Sequence, residues 1–188
     1  MKVLVIDRQD TGNWQNASPA LVNLIPDSAV KYGNKPLFLP DFTDKWVGEA
    51  ILAFRISRLG KNIQRKFAHR YYDAVTVAVE ARPEDGAQDC LGTSALTRSF
   101  DGKFSMGDWV ELPLGASPLT ISLNGESKEI NIQETAIEEY IEHVSHFCTL
   151  KMGDILVPMR TGVTIPLALD TEITTSINGN HCVTYRVK

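Results

Sequence analysis

Apolar and polar residues alternate at short range along this chain. Brief runs rich in β-branched residues are separated by turn formers, a pattern that predicts strands. The expected strands are Val3–Ile6, Pro36–Leu39, Glu49–Ser57, Asp73–Ala81, Asp108–Leu112, Leu119–Leu123, Lys128–Ile132, Asp154–Val157, Thr171–Ile177 and Cys182–Val187. Two hairpins stand out, because Asn124-Gly125 and Asn178-Gly179 each separate two such runs and Asn-Gly suits the positive φ of tight hairpin turns.

Helical spacing is rarer. Ile137, Tyr140, Ile141, Val144 and Phe147 make one apolar stripe, predicting a helix over Thr135–Thr149 that opens with a Thr135/Glu138 capping box. A shorter helix is expected over Asn62–Tyr71, after the turn at Leu59-Gly60 and bridging two long strands. The fold class is therefore mainly β (α+β), with one long and one short helix.

At 188 residues the chain has the length of one domain, and residues 1–188 are read as such. With 43% hydrophobic and 22% charged residues it is globular in composition. No apolar run approaches the roughly 20 residues of a spanning helix. The opening MKVLVID lacks the apolar core of a secretory signal and reads as a first strand. Cys90, Cys148 and Cys182 are odd in number and widely spaced, which suits neither a disulfide framework nor a zinc site and points to a cytoplasmic location. A formal net charge of −4 gives no global pull toward nucleic acid or anionic lipid.

Two carboxylates break otherwise apolar strands, Glu49 in GEAILAFRI and Glu80 in DAVTVAVEAR. A buried carboxylate costs several kcal/mol unless paired or metal-bound. Either both point out of a half-exposed sheet, or they pair with Arg55 and Arg82, or they ligate a cation. His143 and His146 lie on one helix, where a solvated face explains them; Cys148 reads as core packing, and His69 as a packing and hydrogen-bonding residue.

The block Pro36–Arg82, followed in order by RSFDG at Arg98–Gly102, MGDWV at Met106–Val110, an Asn-Gly hairpin and VSHFCTLKMGDIL at Val144–Leu156, resembles the fumarylacetoacetate hydrolase family. The resemblance implies a β-roll of mixed strands, of the type of that family's C-terminal domain, commonly a homodimer. It also implies a divalent site for Mg2+ or Mn2+ built from a Glu-x-Glu on one strand and an Asp on a later one. Glu49 matches the first Glu, Ile51 stands at the second, and Glu80 stands at the Asp. Two of three hard oxygen ligands remain, so weak metal binding is expected.

Other family positions differ in the same direction. Arg98 stands at the family's lysine in its A-K-[SA]-F pattern; it keeps the charge and can hold a substrate carboxylate, but its pKa above roughly 12 prevents ordinary proton transfer. Arg8 survives in IDRQDTGNW, where the family carries a GRNYxxH-like segment, and no His precedes His69. Ile25 replaces a substrate-binding Lys, and VPMRTG replaces the T-G-T-P loop. The expected function is a family protein with an eroded metal and catalytic site that binds a small carboxylic acid or a protein partner, through a cleft lined by Arg8, Arg98 or Arg160. The alternative is an active divalent-metal-dependent hydrolase, decarboxylase or isomerase on 2-oxo or β-diketo acids, with replacement ligands from Asp44, Asp85 or water.

Overall fold

The structure is a computed structural model that describes residues 1–6, 22–84, 96–112 and 118–188. Its centre is a pair of long antiparallel strands, β4 (Trp46–Ile56) and β5 (Tyr72–Pro83). Both are buried on both faces, which explains their nearly continuous apolar sequence.

Around them a mixed sheet is completed by β1 (Lys2–Ile6), β2 (Val22–Pro26), β3 (Val30–Tyr32), β6 (Phe104–Met106), β7 (Val110–Glu111), β10 (Ile155–Val157) and β11 (Arg160–Leu167). The strand order is β2-β1-β10-β4-β5-β6-β3, with β11 also pairing β4 and β7 also pairing β5. The pairs β1/β10 and β3/β6 are parallel. A second, antiparallel sheet has the order β13-β12-β8-β9, formed by β8 (Leu119–Leu123), β9 (Glu126–Ile130), β12 (Glu172–Ile177) and β13 (Asn180–Arg186). Among the described residues the α-helices are a single turn α1 (Arg65–Ala68) and the longer α2 (Ile137–Phe147).

Strand alternation divides the interior in two. Leu52 and Phe54 of β4 and Val75, Val77 and Val79 of β5 join Ile121, Leu123, Ile173, Ile177 and Tyr140 in the larger core. Ile51, Ala53 and Ala78 point the other way, into a smaller cluster with Val3, Val5, Phe104, Met106, Ile155 and Val157. Glu49 and Glu80 belong by the same period of two to this second face. The sheets are tied across the larger core by Thr175 Oγ1, which donates to the Val77 carbonyl at 3.0 Å.

Both Asn-Gly turns form as expected, with positive φ at Asn124, Gly125, Asn178 and Gly179. Their asparagines also lock neighbouring strands, since Thr174 N–H donates to Asn124 Oδ1 and Thr120 N–H to Asn178 Oδ1. Four expectations need correction. Pro36–Leu39 forms only an isolated bridge, Leu37 to Val187, because flanking prolines Pro36 and Pro40 remove ladder donors. The first helix shrinks to one turn, as Asn62 adopts φ +52. No capping box closes α2: Thr135 Oγ1 bonds the Ile132 carbonyl in a 3-10 turn, and Ala136 takes the left-handed conformation at the N-cap. Phe147 is exposed at the end of the stripe rather than buried in it.

Strands β2, β3, β6 and β11 were not expected, and all but β11 are five residues or shorter. Among the described residues no helix is long and apolar enough to cross a membrane.

Candidate functional site

Glu49 and Glu80 are direct register partners across β4 and β5. Their side chains are 2% and 4% exposed, so two carboxylates meet inside the protein. Unpaired, they would repel and one would take up a proton.

The charge between them belongs to Arg160. Its Nη1 donates to Glu80 Oε2 at 2.5 Å and to Glu49 Oε2 at 3.1 Å. Backbone geometry aims it there. Arg160 is the register partner of Ile51, and a bulge between Arg160 and Thr164 turns the intervening residues back over β4. Thr161 Oγ1 bonds the Ala50 carbonyl, while Gly162, at φ +76, directs its N–H to Glu49 Oε1 at 3.2 Å. A β-branched or bulky residue at Gly162 would be strained in that conformation.

Two more cations complete the network. Lys103 Nζ lies 3.1 Å from Glu80 Oε1 and donates to the Ala81 carbonyl at 3.3 Å. Its ammonium also lies 5.7 Å from the ring centres of Phe100 and Phe104, within reach of cation–π attraction. Arg82 Nε donates to Glu49 Oε2 at 3.3 Å. Each of the four carboxylate oxygens therefore has an N–H donor. Three cationic side chains against two carboxylates leave one positive charge in excess among the described residues.

Burial by itself raises the Glu80 carboxyl, but the Lys103 ammonium and Arg160 guanidinium outweigh it and hold the group at about 2. For Arg160, burial pulls downward, while Glu80 and Glu49 keep it firmly charged. Glu80 and Arg160 are therefore both charged at neutral pH.

As arranged, these residues do not fit a hard divalent cation. Such an ion takes six or more oxygen ligands. Here both inward Oε2 atoms are engaged by a guanidinium, the neighbouring same-face position is Ile51, fully buried, and no group of three His, Cys, Asp or Glu that could hold a metal occurs among the described residues.

Of the other expected site residues, Arg98 donates to Asn23 Oδ1 of β2 at 2.7 Å rather than to either glutamate. Arg8, Asp85 and Cys90 lie outside the described residues. Asp44 is exposed. The expected pairing with Arg82 is present, but Arg55 turns to Asp73 at 2.9 Å. His69 is exposed and Cys148 half-buried, so neither is a core residue.

Lys103 was missed, although a lysine opening the apolar run KFSM between two phenylalanines was a usable signal. Arg160, expected as one of three arginines that could line a carboxylate-binding cleft, bridges the two glutamates. Its contact with the glutamates depends on the bulge, which no periodicity reveals.

The fumarylacetoacetate hydrolase C-terminal family model matches residues 5–164, which include every member of this network. The chain belongs to that family. Among curated protein sequences none matches it significantly. Solved family structures share its fold at low identity. The 2-hydroxyhepta-2,4-diene-1,7-dioate isomerase of Mycobacterium marinum superposes with a TM-score of 0.81 at 21% identity, covering 99% of this chain and 73% of that one. The 5-carboxymethyl-2-hydroxymuconate delta-isomerase of Mycobacterium smegmatis gives 0.80 at 20%, covering 99% and 78%. Fumarylpyruvate hydrolase of Pseudomonas aeruginosa, solved in complex with Mn2+ and pyruvate, gives 0.79 at 17%, covering 100% and 89%. The expected family and its curled, mainly β fold are thus both found.

Proposed function

We propose that this family member has exchanged a divalent-ion centre for an internal guanidinium, and that it binds a small carboxylic acid without carrying out metal-dependent turnover. The observation behind this reading is the Arg160 Nη1 contact with both Glu49 and Glu80. A guanidinium can neutralise the carboxylates but has no open coordination position, so it can neither activate water nor polarise a substrate oxygen as a Lewis acid. Among the described residues, the Nη2 and Nε of Arg160 and both terminal nitrogens of Arg82 make no hydrogen bond, and the network has one positive charge in excess. Those donors suit a carboxylate ligand, which a guanidinium binds in a fork geometry.

Calorimetry with pyruvate in excess chelator tests the reading, because pyruvate is the acid bound in the Pseudomonas structure. Saturable binding without metal is expected, and binding that requires Mn2+ overturns it. The homodimer and the cytoplasmic setting belong to the same proposal; a monomer mass by light scattering would remove the first.

A second reading keeps the metal. Glu49 and Glu80 still face one another, and the fumarylpyruvate hydrolase that shares this fold holds Mn2+. In that reading Arg160 withdraws, and the domain acts on 2-oxo or β-diketo acids. Turnover of oxaloacetate or an acylpyruvate that disappears with chelator and in Glu49→Ala would establish it.

A further inference from the structure

The opposite side of the sheet carries a second cationic feature, at the edge strand β3. Lys31 is the register partner of Ser105 on β6, which in turn partners Val79 on β5. By strand alternation Lys31 therefore faces away from Glu80, whose partner on β6 is Phe104. The two sites are separated by the sheet itself.

Lys31 is held by two contacts. Its Nζ lies 3.9 Å above the ring centre of the buried Tyr185, and it donates to the Gly33 carbonyl at 3.1 Å. Neither Lys31 nor the nearby Lys35 forms an ion pair among the described residues. Burial first, and the Lys35 ammonium second, push Lys31 down to about 8. Lys31 is thus a partly desolvated cation that shares the groove with the exposed Lys35 and has no carboxylate in contact among the described residues, an arrangement that an anion relieves.

These lysines line a groove of about 680 Å³. Ser28 and Asp101 add polar atoms to its wall, and Phe38 adds aromatic surface that is 67% exposed. Exposed aromatic area beside cations suits a ligand with a flat apolar body and a charged end.

We infer that this groove binds a small organic anion, with its carboxylate or phosphate on Lys31 and Lys35 and its apolar body against Phe38. Asp101 is the one carboxylate lining the groove among the described residues, and it opposes such a ligand.

The test is a titration of the full chain with benzoate, phenyl phosphate and inorganic phosphate, followed by amide NMR shifts. Benzoate and phenyl phosphate distinguish a carboxylate from a phosphate ligand. Saturable shifts over residues 31–38 are expected for at least one aromatic anion, with a Kd of about 1 mM or tighter. Inorganic phosphate should bind at least about tenfold more weakly than phenyl phosphate, and equal binding overturns the apolar contact. Lys31→Met and Lys35→Met should each weaken binding about tenfold, whereas Asp101→Asn should strengthen it. Lys35 and Asp101 are exposed, so their variants keep the test valid if Lys31→Met does not fold. Absence of saturable shifts for both aromatic anions, or binding unchanged in the lysine variants, overturns the inference.

Discussion

Arg160 is the register partner of Ile51 across β11 and β4, so the cation of the centre stands beside the position at which the family places its second glutamate. The two features are physically complementary. A carboxylate at 51 together with Glu49 and Glu80 would put three negative charges on one face, enough to call for a divalent ion. With Ile51 in that place only two remain, and one guanidinium with flanking Lys103 and Arg82 more than neutralises them.

Removal of the central cation should be costly. Arg160→Met leaves Glu49 and Glu80 facing each other in the interior, and breaking a buried ion pair on one side costs about 3–5 kcal/mol. For a chain of this length the thermal midpoint should fall by about 10 °C. Added Mn2+ should recover part of the loss in Arg160→Met, since a ligand that binds only the folded form stabilises it. Thermal melts with and without Mn2+ check both statements; an unchanged midpoint would mean that Arg160 is not part of the centre.

Restoring the family's acidic residue should restore the metal only when the guanidinium is gone. Ile51→Glu alone places a third carboxylate beside Arg160, which pairs with it, and stability should fall without tight Mn2+ binding. Ile51→Glu combined with Arg160→Met should bind Mn2+ more tightly than either single variant. Calorimetry on the three proteins measures this order, and equal affinities would mean that the pocket differs in more than these two residues.

Much of this was legible in the sequence, and the remainder has particular causes. The two long strands and both Asn-Gly hairpins follow from alternation and turn chemistry, which are local. Glu49 and Glu80 were marked by their apolar surroundings, and strand pairing placed them opposite each other. The edge strands β2 and β3 were hidden because a short edge strand has little periodicity to display. The cap of α2 was misread because Thr135 satisfies itself within the preceding turn. The engagement of Arg160 was hidden most deeply, since it depends on a bulge, a positive φ at Gly162 and a partner more than a hundred residues distant in the chain.

Acid should weaken the fold through Glu80. Its folded value of about 2 lies below the ordinary 4.5, so its stabilising contribution is complete above about 4.5 and is lost as pH falls toward 2. The contribution is at most about 3 kcal/mol. Urea unfolding between pH 6 and pH 2.5 should show this loss, and Glu80→Gln should flatten the dependence in that window. An equal slope in the variant would assign the acid sensitivity to other groups.

The junction between the sheets should be intolerant of a single methyl group. A Cβ on Gly107 would lie 2.6 Å from both the carbonyl carbon and oxygen of Cys182, at the point where Asp108 N–H donates to that carbonyl at 2.8 Å. Gly107→Ala should therefore cost about 1–3 kcal/mol by denaturant unfolding. Its response to Mn2+ should match the parent protein, because Gly107 lies outside the carboxylate centre.

Mn2+ titration of the unaltered chain, followed by the electron paramagnetic resonance of the free ion, tests the central claim most directly. With Arg160 seated between Glu49 and Glu80, the free-ion signal should rise in proportion to added Mn2+ from the first addition, with no stoichiometric loss. A one-to-one loss of signal at micromolar Mn2+ that is abolished by Glu49→Ala would show that the carboxylates hold a metal and that the guanidinium does not replace it.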